Sequence, residues 1–238
     1  MKSVINTKLV QRNAMIGQYT SLGALVILAI GLFISFKYPD QILYSLGALL
    51  VGFFLSQIGI YYGNRWNRKP RPDEIIDRSL KGMGREFIIY HYVTPAAHLL
   101  VGPAGLWILL PYFQSGTVTY AKNRWRIRGG GFTQWYMRVF GQEGLGRPDM
   151  DASTEARTVT AYLDKLLPEG VSVPEIKGVM VFFHPEVKLE LDQAPLPSIA
   201  PAALKDFLKE KAKEKPIDAE TVTAIQSVLP KAGKEDED

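Results

Sequence analysis

Between Arg12 and Lys37 the chain carries no charged residue, and between Gln41 and Asn64 it again carries none. The apolar cores of these intervals, TSLGALVILAIGLFISF and ILYSLGALLVGFFLSQIGIYY, constrain the fold more than any other feature of the 238 residues. At about 1.5 Å per helical residue, either interval can cross the roughly 30 Å hydrocarbon layer of a bilayer. A cleaved leader fits poorly, because the first run is too long for a signal core and FKYPDQ after it offers no small-residue cleavage site. The expectation is a transmembrane hairpin over 19–64, with helices at about 19–36 and 41–62 closed by the KYPD turn, where Pro39 is the breaker.

Charge gives the hairpin a direction. Residues 1–18 carry Lys2, Lys8 and Arg12 without an acid, and NRWNRKPR after the second helix carries Arg65, Arg68, Lys69 and Arg71. Lys37 and Asp40 in the turn cancel. The positive-inside rule then puts the basic N-terminus (1–18), the juxtamembrane linker (65–72) and both termini in the cytoplasm, and the expected location is a prokaryotic plasma membrane. Tyr19, Tyr38, Tyr61, Tyr62 and Trp66 fall where interfacial aromatic residues belong. The same partition explains the net charge of +4. Residues 1–18 contribute +3 and residues 63–72 contribute +4, so the rest of the chain is −3. The basic pI of 9.1 is thus juxtamembrane and is no argument for nucleic acid. The absence of cysteine excludes disulfides and thiolate metal sites.

From 73 to 230 the pattern is that of a cytoplasmic domain, followed by a polar acidic tail at 231–238 for which disorder is expected. PDEIIDRSLKGMG reads as a helix with Pro72 in its first turn and Gly84 as its stop. EFIIYHYV, AHLLVG and LWILLPYF read as strands, the latter two continuously apolar and therefore buried on both faces. GTVTYA and NRWRIR read as a further hairpin leading to a glycine turn at Gly129–Gly131. A long helix follows from Asp149, with Val159, Tyr162, Leu163, Leu166 and Leu167 on one stripe. IKGVMVFFHP is a central strand, VKLEL an alternating one, and two short amphipathic helices end the domain.

The stretch HLLVGPAGLWILLPYFQSG, with its histidine, its Gly-Pro-x-Gly turn, its aromatic residue and its closing glycine (His98, Gly102, Pro103, Gly105, Trp107, Gly116), together with IKGVMVFFHP, resembles the nuclease-related domain (NERD) family over about residues 74–210. The resemblance implies a restriction-endonuclease-like α/β (α+β) domain with a mixed sheet flanked by helices, and a neighbouring transmembrane segment. The family's metal-binding acid, second acid and lysine fall on Ala97, Leu110 and Tyr112. Carboxylates would hold a divalent ion against the scissile phosphate, and the lysine would orient water or offset developing charge. All three groups are missing, and there is no Asp or Glu from Phe87 to Gln142. The expectation is a binding or scaffold module without cofactor or metal. The rival is a metal-dependent nucleic-acid hydrolase with relocated acids, Glu74, Asp77 and Glu86. A membrane-associated signalling domain of unrelated fold is a third reading.

Other chemistry is thinly represented. His91 and His98 could lie on adjacent strands, but two imidazoles without carboxylate or thiolate make a poor zinc site, and satisfied core or surface histidines are the expected reading for these and His184. Ser115 has no identifiable base, and RGGGF lacks the Gly-Lys-Ser/Thr of a phosphate loop.

One positive feature remains. In AKNRWRIRGGG, Lys122, Arg124, Arg126 and Arg128 alternate with Asn123, Trp125 and Ile127, so at strand period two the four cations share a face. With Arg138 they give residues 87–142 a charge of +5. Two readings stay open: a solvated edge strand protected by its charges, or an anion-binding face for lipid headgroups or nucleic acid, to which Trp135 or Arg147 would add contacts.

Overall fold

The computed structural model describes residues 1–129 and 145–231. They form two compact units, one of residues 1–6, 72–129 and 145–231, the other of residues 7–71.

The second unit is a helical hairpin. Helix α1 runs over Thr7–Lys37 and α2 over Ile42–Tyr62, joined through a short 3₁₀ turn at Pro39–Gln41. Both are long and apolar enough to cross a membrane. Helix α1 begins 12 residues before position 19, because TKLVQRNAMIG holds no proline and continues the helical pattern. Its buried residues are Val10, Asn13, Gly17, Ala24 and Gly31, and those of α2 are Gly52 and Gly59. The spacing of seven from Val10 to Gly31, repeated from Gly52 to Gly59, keeps one stripe of each helix in contact. At its glycines there is no room for side chains. A Cβ on Gly59 would lie 2.4 Å from Ser21 Oγ and 3.1 Å from Ser21 Cα, and one on Gly52 would lie 2.6 Å from Leu28 Cγ. Ser45 Oγ donates to Gly31 O at 3.0 Å, and a π-helical turn at Gly63–Asn67 lets Asn67 Nδ2 donate to Ala14 O at 2.9 Å. Trp66, expected at an interface, is buried in this turn. Leu25, Leu32, Phe33, Leu43 and Phe54 point outward.

The first unit begins with a strand the sequence did not suggest. Within the expected basic N-terminus, β1 (Lys2–Ile5) pairs in parallel with β2 (Ile88–His91). Four alternating residues are too few to signal a strand, and the partner lies 86 positions away. The helix α3 (Pro72–Ser79) closes well short of Gly84, the left-handed residue after it being Gly82 (φ 81°). Strands β3 (His98–Gly102) and β4 (Gly105–Tyr112) form the expected hairpin. Its glycines are required by geometry: Gly105 has φ 103°, and a Cβ on Gly102 would enter the Phe87 ring at 2.3 Å.

Strands β5 (Thr117–Ala121) and β6 (Arg124–Arg128) follow, then α4 (Pro148–Asp164), β7 (Ile176–Phe182), β8 (Lys188–Glu190), β9 (Ser198–Ile199), α5 (Pro201–Glu214) and α6 (Ala219–Val228). The main sheet has the order β1-β2-β3-β4-β7-β9, antiparallel at β2-β3-β4 and parallel elsewhere, so it is mixed. A second sheet has the order β6-β5-β8. Period-two alternation sorts the core onto two faces. Leu99, Val101, Leu106, Ile108, Leu110, Met180 and Phe182 pack with Val159 and Leu163 of α4, Val222 and Ile225 of α6, and Val118 and Trp125 of the second sheet. Leu100, Trp107, Leu109, Val179 and Val181 pack on the other face with Ile76 of α3 and Leu204 and Leu208 of α5. The main sheet is therefore covered on both sides, which is why β3, β4 and β7 read as continuous apolar runs.

Candidate functional site

Ala97 precedes β3, while Leu110 and Tyr112 lie on β4. Leu110 is 8 % exposed within the core cluster. Tyr112, opposite Phe182 on the parallel neighbour β7, stacks on its ring at 5.3 Å. Burial raises the Tyr112 pKa, and the carboxylates of Asp151, Glu155 and Asp149 add to the rise. Ala97 sits just before β3, where its carbonyl accepts from Tyr92 N at 2.9 Å. No carboxylate comes from the strands themselves, and those that bear on Tyr112 arrive on α4. The sequence analysis missed this trio, because α4 follows the strand pair by more than 35 residues. Asp151 pays for the crowding with a raised pKa, through its own burial and then the charge of Asp149.

The acids proposed as relocated ligands do not converge on these positions. Asp77 turns to a histidine pair, while the Glu86 main chain accepts a hydrogen bond from Gln226 Nε2 of α6 at 2.9 Å. Glu74 is a partly exposed residue of the first turn of α3. Among the described residues no three His, Cys, Asp or Glu side chains are grouped as a metal site.

A histidine pair is buried in the main sheet. His91 and His98 face each other across the β2–β3 ladder, 0 % and 2 % exposed, with their Nδ1 atoms 2.7 Å apart. His91 Nε2 is 3.2 Å from Asp77 Oδ1, and Ser3 Oγ of β1 donates to Asp77 Oδ2 at 3.0 Å. These bonds fix the tautomers. The carboxylate accepts from His91 Nε2–H, so in the neutral pair His91 Nδ1 is bare and accepts from His98 Nδ1–H. Two protonated Nδ1 atoms cannot face each other at this distance, so one proton serves both. Tyr92, in the left-handed region at φ 60°, lays its ring 4.9 Å from His98. Of the two placements expected, core or surface, these histidines take the core, while Ser3 and Asp77 as their partners come from pairing that the sequence does not reveal. His184 is elsewhere, accepting from Glu186 N at 3.2 Å.

The basic strand differs from its expected form at one end. Lys122 and Asn123 have φ 51° and 55°, the left-handed pair of a two-residue type I′ hairpin turn, so Lys122 occupies the turn and not the strand face. Asn tolerates that conformation, but the usual following glycine is absent, which hid the turn. Arg124, Arg126 and Arg128 remain on one exposed face of β6, with Trp125 buried beneath. Cross-strand register extends this face over Ala121, Thr119 and Thr117 of β5 to Lys188 and Glu190 of β8. None of the three arginines nor Lys188 forms an ion pair with a described residue. Arg147 is exposed before α4, and Arg138 and Trp135 lie outside the described residues.

No family model, curated protein or solved structure matches the chain.

Proposed function

We propose that this is a membrane-anchored, cytoplasmic binding or scaffold module of nuclease-related architecture that does no hydrolysis. One observation carries the reading: where such a nuclease needs two carboxylates and a lysine, Ala97 uses its main chain in a turn, Leu110 is packed in the core, and Tyr112 is stacked on Phe182. An apolar, filled position offers neither ligands for a divalent ion nor space for a scissile phosphate. The nuclease-related part is supported by the mixed sheet with helices on both faces and by its run of α3, an antiparallel β2-β3-β4 meander, α4, and β7 parallel to β4. The anchor is supported by the hairpin's glycine seam and outward Leu and Phe residues, a distribution suited to hydrocarbon. The cytoplasmic side is supported by the positive charge at both ends of the hairpin.

A hydrolase with relocated acids would have to draw on Asp149, Asp151 and Glu155, the carboxylates that bear on Tyr112. The test is a nuclease assay with Mg²⁺ or Mn²⁺ on the full chain in detergent, since a fragment starting at 72 would lack β1. No cleavage is expected from the wild type. Cleavage abolished by Asp151→Asn, or by Asp77→Asn, would overturn the reading.

A further inference from the structure

We propose that the exposed face of the second sheet, built by Arg124, Arg126 and Arg128 with Lys188, docks onto the anionic phospholipid headgroups of the bilayer that holds the hairpin. This deepens the binding-module reading and rests on it. The face is an array of cations and not a convergent cavity. Alternate residues on a strand are about 6.7 Å apart, and β6 and β8 are separated by two ladder spacings of about 4.8 Å each. Charges spread in this way match a surface that presents many phosphates side by side. Between them lie Thr117 and Thr119, hydroxyl donors on the same face, and Glu190 is the one acid that register places there.

The placement of the aromatic rings argues against single-stranded nucleic acid. A single-strand platform needs aromatic rings beside its cations for bases to stack on. Here Trp125 lies on the far side of β6, 9 % exposed, with Tyr120 packed against its ring at 5.0 Å. The cationic face carries no aromatic ring: register places on it the three arginines, Lys188, Thr117, Thr119, Ala121 and Glu190.

A lipid source also follows from connectivity. The unit bearing this face joins the hairpin twice, at Asn6–Thr7 with no linker and at Arg71–Pro72. Each cation near an anionic surface strengthens attachment about fivefold, so three arginines are expected to contribute about a hundredfold.

The chain has no cysteine, so Ala121→Cys places a single fluorophore at the end of β5, opposite Arg124. The full chain is reconstituted into nanodiscs of phosphatidylcholine alone or with a third phosphatidylglycerol, and quenching by headgroup nitroxides is read. The expected result is stronger quenching in the anionic discs, reversed by about 0.5 M salt, where the Debye length falls to about 4 Å, and lost in the Arg124→Ser/Arg126→Ser/Arg128→Ser variant. Circular dichroism of that variant checks that the unit is folded. Equal quenching in both discs, or quenching that the folded triple variant retains, overturns the proposal. So does arginine-dependent binding of a duplex or single-stranded oligonucleotide to neutral discs without a headgroup signal, which would assign the face to nucleic acid. Competition by inorganic phosphate at millimolar level would likewise overturn a surface in favour of a single-anion site. Failure here with no nuclease activity leaves the binding-module reading standing, whereas nuclease activity removes that reading itself.

Discussion

The two units of this chain are inverted relative to each other. In the hairpin, Gly17, Ala24, Gly31, Gly52 and Gly59 are inside and Leu25, Leu32, Phe33 and Phe54 are outside. In the sheet unit, Leu99, Ile108, Trp107 and Phe182 are inside and the arginines of β6 are outside. Water rewards burying apolar area, at about 25 cal/mol per Å², so the sheet unit collects its large side chains. Hydrocarbon gives no such reward. What remains is close van der Waals packing and interhelical hydrogen bonding, both favoured by small residues such as Gly52 and by Ser45 bonding to Gly31 O. With the hairpin read as the proposed membrane anchor, the contrast is that of one chain fitted to two solvents.

The inversion can be broken most forcefully at leucine. Leu99→Ala, in the core between β2 and β4, is expected to destabilise the sheet unit by about 2–5 kcal/mol. Leu32→Ala, on the outer surface of α1, should change thermal stability in detergent by no more than about 0.5 kcal/mol. Equal losses, measured by thermal unfolding, would erase the distinction. Substitution at the seam should do the reverse. Gly59→Leu must displace Ser21, including its main chain, and is expected to cost about 1–3 kcal/mol, whereas an added side chain on the outer surface costs little.

Smaller effects sharpen what the sheet unit tolerates inside. His98→Phe keeps a ring but leaves His91 Nδ1 without its donor, for an expected loss of about 1–3 kcal/mol. The double variant His91→Phe/His98→Phe removes both partners and should lose less than the sum of the single variants. Strict additivity in a thermal-unfolding cycle would deny the shared proton. The smallest effect is expected at Asp151. Its pKa is raised from 3.8, so the neutral form is the one the fold favours, and its stabilising contribution is present at low pH and lost as pH rises through the folded value. Asp151→Asn should therefore raise stability at pH 7, by less than about 1 kcal/mol because the side chain is largely solvated, and the gain, read as a rise in Tm, should vanish near pH 3.

Local features of this fold were readable from residues. The spans were visible because charge is absent over whole helical lengths, and the β3–β4 hairpin was visible because Gly102 and Gly105 punctuate two apolar runs. Long-range pairing was not. Strand β1 is four residues long, and its role depends on a partner near position 90. The link from Asp77 to His91 joins a helix to a strand, and the approach of α4 carboxylates to Tyr112 depends on a crossover. Lys122 was misplaced for a different reason: period-two counting assumes an unbroken strand, and a left-handed Lys-Asn pair ends it. The candidate site was thus legible as a set of missing groups, while its actual neighbours were fixed by contacts that no local pattern records.

The cysteine-free chain allows the central claim of two solvents to be measured directly, by single-cysteine labelling in intact cells and isolated membranes with a membrane-impermeant maleimide. Asp40→Cys in the hairpin turn should react from outside intact cells, Ala121→Cys only after the membrane is opened, and Leu32→Cys in neither case until detergent is added. Labelling of Leu32→Cys as fast as Ala121→Cys in opened membranes would contradict the account.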